Sequence, residues 1–465
     1  MSGKTTGGEI DVSTLDAAIA GTVIGPDHAE YDDARRVWNA RYDRYPTAIV
    51  RVADVEDVVE AVNFARDTDL RIAIRGGGHS YAGHGTCDDG LVIDCAAIDH
   101  VEVDPDAKRV RVGPGATWAD VDAATMAHGL ATTGATVSSV GVAGYTLGGG
   151  TGHLVRSLGT GADNLCAAEV VTAAGAVVRA SDDENADLYW ALRGGGANFG
   201  VVTEFEFALH ELETELLAGQ LVYRIEDAPE VLRFYRDFMA DAPQAVNCYA
   251  FFIPLPPLDV FPAELHGTTA VDLVVSHTGP IADAEADLAP LREFGEPILD
   301  AVAPTPYVDL QQAFDAGTPS GNRWHSKAQY ISTLPDDALD ALIEAVHPIE
   351  GPFTMAYLEP LGGAVAAVDP AATAFPHREV PYSLHVLSGW TDPDDDDAMV
   401  EWTETVHETM TPYSPGGVYV NLLHRDESER VPEAYGENLD RLADCKATWD
   451  PDNRFSVNQN IEPAR

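Results

Sequence analysis

Residues 70–80 read Leu-Arg-Ile-Ala-Ile-Arg-Gly-Gly-Gly-His-Ser. The stretch Leu70–Ile74 is a short apolar strand, and it leads into a glycine run closed by a histidine. Three consecutive glycines remove every Cβ, so backbone N–H groups can approach a phosphate or a ring system closely. Upstream, Thr47–Val52 is β-rich and Val55–Asp67 carries apolar residues at helical spacing, so the glycine loop ends a β-α-β unit. Downstream, Gly90–Cys95 and Arg109–Val112 are predicted strands and Trp118–His128 a helix. Two further glycine-rich stretches lie beyond them. Residues 140–152 read VGVAGYTLGGGTG, and residues 193–200 read RGGGANFG and lead into a strand at Val201–Phe207. Between them, Glu169–Thr172 and Val177–Ala180 form a hairpin around Ala174-Gly175.

Three such loops between residues 75 and 200 point to one large phosphate-bearing ligand. Gly148-x-Gly150-x-Gly152 lacks the G-x-G-x-x-G spacing, and none of the lysines (Lys4, Lys108, Lys327, Lys446) follows a glycine loop as in a Walker A motif. Both a P-loop and a standard dinucleotide fingerprint are therefore set aside. A tight turn packed on its neighbour explains any one loop equally well. His79 separates the readings, because an imidazole held inside a glycine loop is a suitable nucleophile toward the 8α-methyl group of an isoalloxazine.

The rest of the chain bounds the answer. Its 465 residues, 45% of them hydrophobic, suffice for two or three cores. Glycine runs stop after about residue 212. Longer helices then alternate with β-rich segments at Ala270–Ser276, Phe353–Leu358 and Tyr382–Leu387, and the tail Tyr435–Lys446 is helical. The 76 acidic residues against 28 basic give a net charge of −48, which excludes nucleic acid and anionic membranes as partners. The acids are spread among periodic apolar segments, so the chain is folded rather than disordered, and the charge reads as adaptation to high salt. No run of apolar residues is long enough to span a membrane, and the N-terminal MSGKTTGGEIDVSTLD reads as a disordered tail before a helix. A cytoplasmic location is expected. The odd cysteine count, with no C-x-x-C pair, suggests neither a disulfide framework nor a metal site.

The strings Arg75–Tyr81 (RGGGHSY), Gly90–Asp94 (GLVID), Val140–Gly152 and Ala162–Thr172 (ADNLCAAEVVT) resemble the FAD domain of the berberine bridge enzyme-like flavoproteins, within the vanillyl-alcohol oxidase type of fold. The tail Tyr435–Ile461 resembles that family's C-terminal signature. The resemblance implies an α+β protein of two domains: a tail and helix at 1–44, an FAD domain at 45–212, an antiparallel-sheet substrate domain at 213–415, and a segment at 416–465 that completes the FAD domain. It implies FAD bound covalently through His79. Flavin contacts are implied at Arg75, Gly76, Gly77, Gly78, Ser80, Val140, Gly141, Val142, Ala143, Gly144, Tyr145 and Thr151. Gly200 and Val202 are implied near the adenine, and Asn458 near the isoalloxazine. A cysteine that gives many members a second flavin bond is replaced here by Val137, so that bond is expected to be absent. Valine at position 140 resembles members that react readily with dioxygen.

The proton acceptor is less defined. Many members use the last tyrosine of Y-x-N-Y; this chain has Tyr419-Val420-Asn421-Leu422. Glu359, His277, Tyr382 and Asn421 are the candidates for the catalytic positions. Tyr382 and His385 must lie on opposite faces of one strand, so at most one of them faces the site. The implied activity is oxidation of an alcohol group in a sugar, polyol or secondary metabolite, with dioxygen as acceptor. A flavin dehydrogenase with another acceptor and a non-catalytic FAD-binding relative are the alternatives, and the oligomeric state is left open.

Overall fold

The computed structural model describes residues 10–465. Residues 1–9 of the expected N-terminal tail lie outside that range. A four-stranded sheet opens the chain. Ala48–Arg51 and Ile72–Arg75 flank Leu91–Asp94 in parallel, and Thr22–Ile24 adds an antiparallel edge. This corrects the expectation that 1–44 is only a tail and a helix, since Thr22–Ile24 is part of the sheet and the preceding helix is just Ser13–Asp16. The anchor is Asp57, buried in the helix Val55–Thr68, whose carboxylate accepts from Ala20 N, Gly21 N and Ala53 N at 2.7, 2.8 and 2.9 Å. A side-chain cap from Asp54 starts that helix, and a left-handed Asp69 (φ 57°) ends it.

A second, five-stranded antiparallel sheet comes next, in the order 101–104, 109–112, 201–208, 165–171, 177–181. The two sheets share a core, in which Val171 and Val201 pack with Ala48, Val50, Ile72 and Ile93. The helix 439–449 packs beside them, and Lys446 is completely buried there. Its Nζ donates to Asn198 O at 2.7 Å and Phe455 O at 2.9 Å and pairs with Asp450 at 2.7 Å. The C-terminal segment is thus bonded to the loop beyond Arg193-Gly194-Gly195-Gly196.

The third sheet has eight strands. Seven of them run in the order Leu299–Asp300, Glu215–Arg224, Thr269–His277, Val246–Pro254, Met355–Pro360, Tyr382–Trp390 and Arg323–Ile331; the eighth, Ala303–Pro306, also pairs with Glu215–Arg224, and every pairing is antiparallel. Side-chain alternation divides it into two faces. One face packs under the helices Ala228–Asp241, Ile281–Arg292, Asp336–Val346 and Asp396–Met410, and holds Cys248, Ala250, Phe252, Leu358, Leu384 and Val386. The other carries Tyr249, Phe251, Met355 and Tyr357 and faces the glycine loops. Both faces are buried, so these strands read as continuous apolar runs rather than alternating ones.

Candidate active site

Between the glycine loops and the open face of the large sheet lies a cleft enclosing about 1850 Å³ of space, counting its mouth. Two glycine loops form its floor by touching back to back. A Cβ on Gly77 would sit 2.7 Å from Gly141 Cα, and one on Gly76 would sit 2.6 Å from Pro114 O. Gly78 has a left-handed backbone (φ 69°), which glycine adopts at no steric cost. The N–H groups of Gly77, Gly78, His79 and Ser80 find no acceptor among the described residues, so a row of donors is open to an anion. Arg75 also borders the cleft, but its guanidinium is committed to Asp94 at 2.7 Å and so braces the loop. Across the floor, a Cβ on Gly144 would meet nothing within 4 Å, which leaves the cleft open there.

His79 stands on the cleft wall. Its ring stacks on Trp38 (centroids 4.9 Å, planes 24°), and its Nε2 lies 2.9 Å from Ser139 Oγ. Burial pulls its pKa down to about 4, opposed by the charge of Asp315, so the ring is neutral at physiological pH. Gly76, Ser80, Val137, Val140, Gly141, Ala143, Gly144, Tyr145, Thr151 and Asn458 also line the cleft. Asn458 Nδ2 donates to Ala197 O and Phe455 O at 2.7 and 2.9 Å, while its buried Oδ1 has no partner.

The opposite wall carries the polar centre. Alternation puts Met355, Tyr357 and Glu359 on the cleft side of one strand, and His385 and Leu387 on the cleft side of its neighbour. Glu359 is 3% exposed. Thr151 Oγ1 donates to its Oε2 at 3.1 Å, Tyr249 OH points at Oε1 from 3.4 Å, and His385 Nε2 lies 3.1 Å from Oε2. The His385 contact is close but out of line for a hydrogen bond, so both imidazole nitrogens are buried without a partner. The ring is held against Tyr357 (4.5 Å, 32°). Tyr419 adds a neutral phenol, since burial pushes its pKa up, and its oxygen accepts from Gly150 N at 3.0 Å and Asn421 Nδ2 at 2.9 Å.

Five expected site residues do not reach the cleft. His277 and Tyr382 fall on the helix-covered face by strand alternation. His277 Nε2 lies 3.0 Å from Asp287, and Tyr382 packs near Tyr235. Val142 turns into the core below its loop. Gly200 is pressed on the neighbouring strand, where a Cβ would lie 2.5 Å from Val170 Cγ1, and Val202 is a core residue of the same sheet. Gly196 and Ala197 border the cleft in their place. Asn421 does face the cleft, but its amide donates to Tyr145 O (3.1 Å) and Tyr419 OH, so it ties two walls together and cannot serve as a base. Trp38, Tyr249, Phe314 and Tyr419 were not anticipated. Only Tyr419, inside the Y-x-N-L string, had a local sequence signal.

Residues 46–181 match the FAD binding domain family, and residues 418–462 match the family described as berberine and berberine like. An FAD-linked oxidoreductase of Dictyostelium discoideum is 30% identical over 96% of this chain and 95% of its own length. The chain belongs to the berberine bridge enzyme-like family of FAD-linked oxidoreductases. Within the family, (R)-6-hydroxynicotine oxidase of Paenarthrobacter nicotinovorans is 32% identical over 96% of this chain and 97% of its own. The crystal structure of 6-hydroxy-D-nicotine oxidase from Arthrobacter nicotinovorans superposes with a TM-score of 0.86 at 28% identity, covering 96% of this chain and 98% of that one. Membership makes this chain an FAD-dependent oxidoreductase with the two-domain α+β fold of the family. FAD suits the cleft on structural grounds as well. The open N–H row fits a pyrophosphate, the back-to-back glycines leave a flat floor, and the unpaired Asn458 Oδ1 awaits a donor. No helix among the described residues is long and apolar enough to cross a membrane.

Proposed function

We propose that the enzyme oxidises a hydroxyl-bearing carbon of a small molecule, with FAD bonded to His79, Glu359 as proton acceptor and dioxygen as the final oxidant, yielding hydrogen peroxide. The observation that carries this reading is the buried Glu359–His385 pair, the polar centre of the sheet wall, across the cleft from the glycine loops. When bound, FAD supplies the hydride-accepting ring. Glu359 takes the hydroxyl proton at a carboxylate oxygen. Thr151 and Tyr249 hold the carboxylate in place, and His385 Nε2 stands 3.1 Å from it as a second polar group of the wall. Val140 on the cleft wall supports reaction with dioxygen.

The substrate end favours a flat ring system over a sugar. Phe251 stacks on Tyr357 (4.5 Å, 27°) and lies 5.0 Å from Phe314, with Met355 and Leu387 beside them. Such walls offer dispersion contacts but few partners for the many hydroxyls of a carbohydrate. Among the relatives, one is named for hydroxynicotine and another, at 28% identity, for xylooligosaccharides. The aromatic walls put this enzyme nearer the first. The domain limits 45–212, 213–415 and 416–465 and a high-salt cytoplasm belong to the same proposal. They are supported by the start of the large sheet at Glu215, by the Lys446 bonds, and by the net charge of −48.

Acid precipitation of the protein, with peptide mass analysis of the pellet, tests the covalent bond. FAD mass on the peptide containing His79 is expected; flavin left in the supernatant would refute that part. An anaerobic panel of aromatic alcohols, polyols and oligosaccharides tests the reaction. Bleaching by an aromatic alcohol, with peroxide formed on admitting air, is expected. Bleaching that persists in air would instead identify a dehydrogenase, and no bleaching by any hydroxyl compound would overturn the reading.

A further inference from the structure

Attachment of a flavin to histidine needs a neutral imidazole with one lone pair free and aimed, and the surroundings of His79 supply this. We propose that Ser139 and Trp38 are positioning residues for attachment: Ser139 accepts the Nε2 proton of His79, which leaves the Nδ1 lone pair as nucleophile, and Trp38 holds the ring in its plane. These roles rest on the covalent reading of His79.

Three observations support the assignment. Ser139 Oγ lies 2.9 Å from Nε2, whereas Nδ1 has no hydrogen-bond partner among the described residues. Trp38 lies against the ring at 4.9 Å and is itself fixed on every side. It stacks on Trp324 (4.8 Å, 14°), its indole N–H donates to Thr318 O at 3.2 Å, and its backbone N–H donates to Gly78 O at 3.1 Å. The turn carrying Ser139 is pinned by Asp315, whose carboxylate accepts from Ser138 N at 2.8 Å and Ser138 Oγ at 2.6 Å. Asp315 is also the charge that acts on His79.

In attachment, Nδ1 forms the C–N bond to the 8α carbon, which gives up one hydrogen as a proton. The electron pair passes into the isoalloxazine, and dioxygen then removes it as hydrogen peroxide. As the bond forms, positive charge grows on the imidazole. The Nε2–H···Oγ bond strengthens at that moment, and the Asp315 charge favours the same state. Ser139 is exposed, so the Nε2 proton has a path to water. The effect is differential, because the serine bond is worth more to the cationic ring than to the neutral one.

The test uses full-length purified protein and measures two flavin quantities: total bound, and the fraction retained in an acid pellet over hours in air. For Ser139→Ala, total flavin is expected to match wild type, while covalent conversion slows about tenfold, the worth of one charge-assisted hydrogen bond. Ser139→Thr restores the rate. Trp38→Ala slows conversion, while Trp38→Phe, which keeps a flat ring, does so less. A merely structural role would lower total and covalent flavin together. Digestion of the wild type and NMR of the flavin peptide are expected to show the link at Nδ1. If wild type carries no covalent flavin, the reading of His79 fails and this inference fails with it. If wild type is covalent but Ser139→Ala converts at the same rate, or the link is at Nε2, only the roles assigned here are overturned.

Discussion

Replacing Glu359 by glutamine isolates proton transfer from architecture. Glutamine keeps the side-chain length, and its carbonyl oxygen can still accept from Thr151 Oγ1 (3.1 Å) or Tyr249 OH (3.4 Å), so the wall should retain its shape. What is lost is the ability to take a proton. A positioned base contributes roughly 10²–10⁴-fold, and the structure argues for the lower part of that range. His385 Nε2, 3.1 Å from the carboxylate and otherwise unpartnered, remains in the cleft to accept in its stead. The expected loss in kcat is therefore about 10²–10³-fold, or about 3–4 kcal/mol of barrier. Adding His385→Asn should remove most of the residual rate. The assay is anaerobic stopped-flow bleaching of the flavin at saturating substrate, which reads the chemical step without oxygen chemistry. A rate within about threefold of wild type, with an unchanged flavin spectrum, would refute Glu359 as the proton acceptor.

The same geometry sets four further outcomes. Gly77→Ala should cost about 1–3 kcal/mol of stability, because its Cβ would sit 2.7 Å from Gly141 Cα; Gly144→Ala, with nothing within 4 Å, should melt like wild type yet bind less FAD. Thermal unfolding with flavin content measures both. Lys446→Met removes the countercharge of the buried Asp450, which keeps only its hydrogen bonds from Arg454 N and Phe455 N, and should cost about 3 kcal/mol, read as a lower urea midpoint. His84, His153 and His407 have pKa values pulled by burial to about 3, 4 and 4, below the value of about 6.5 in an unfolded chain. The unfolded chain therefore binds protons first as pH falls, and stability should decline from about pH 6.5 toward pH 4; an equal or higher urea midpoint at pH 5 than at pH 7 would contradict this. Finally, a net charge of −48 should make the melting temperature climb steeply between 0.1 M and molar KCl as the screening length shrinks from about 10 to about 3 Å; a flat response would remove the high-salt reading.

With 76 acidic residues in the chain, a single carboxylate carries little information in the sequence, and the ones that matter are concealed among the rest. Asp57, Asp163 and Glu359 look like any of the other acids, yet Asp57 ties the N-terminal segment to the first sheet and Asp163 pairs with Arg378 at 2.7 Å. Their roles depend on which groups the fold brings within reach, and those partners are distant in sequence: Thr151 and Tyr249 for Glu359, Ala20 and Gly21 for Asp57.

The glycine loops, the histidine within them, the family and the α+β class were all legible in the amino-acid sequence. Those features are local: three glycines and a histidine carry their geometry in adjacent residues, and a short strand before a glycine run looks the same in any setting. Strand positions such as Ile72–Arg75 and Val201–Ala208 were legible for the same reason. Which face of each strand meets the cleft became visible only with the packed molecule. Strands buried on both sides carry no polar–apolar alternation, so His277 and Tyr382 could not be told from His385 until helices covered one face and the glycine loops the other. The partners that hold His79, Trp38 from the N-terminal segment and Ser139 from a second loop, were likewise supplied by packing and not by neighbourhood in the chain.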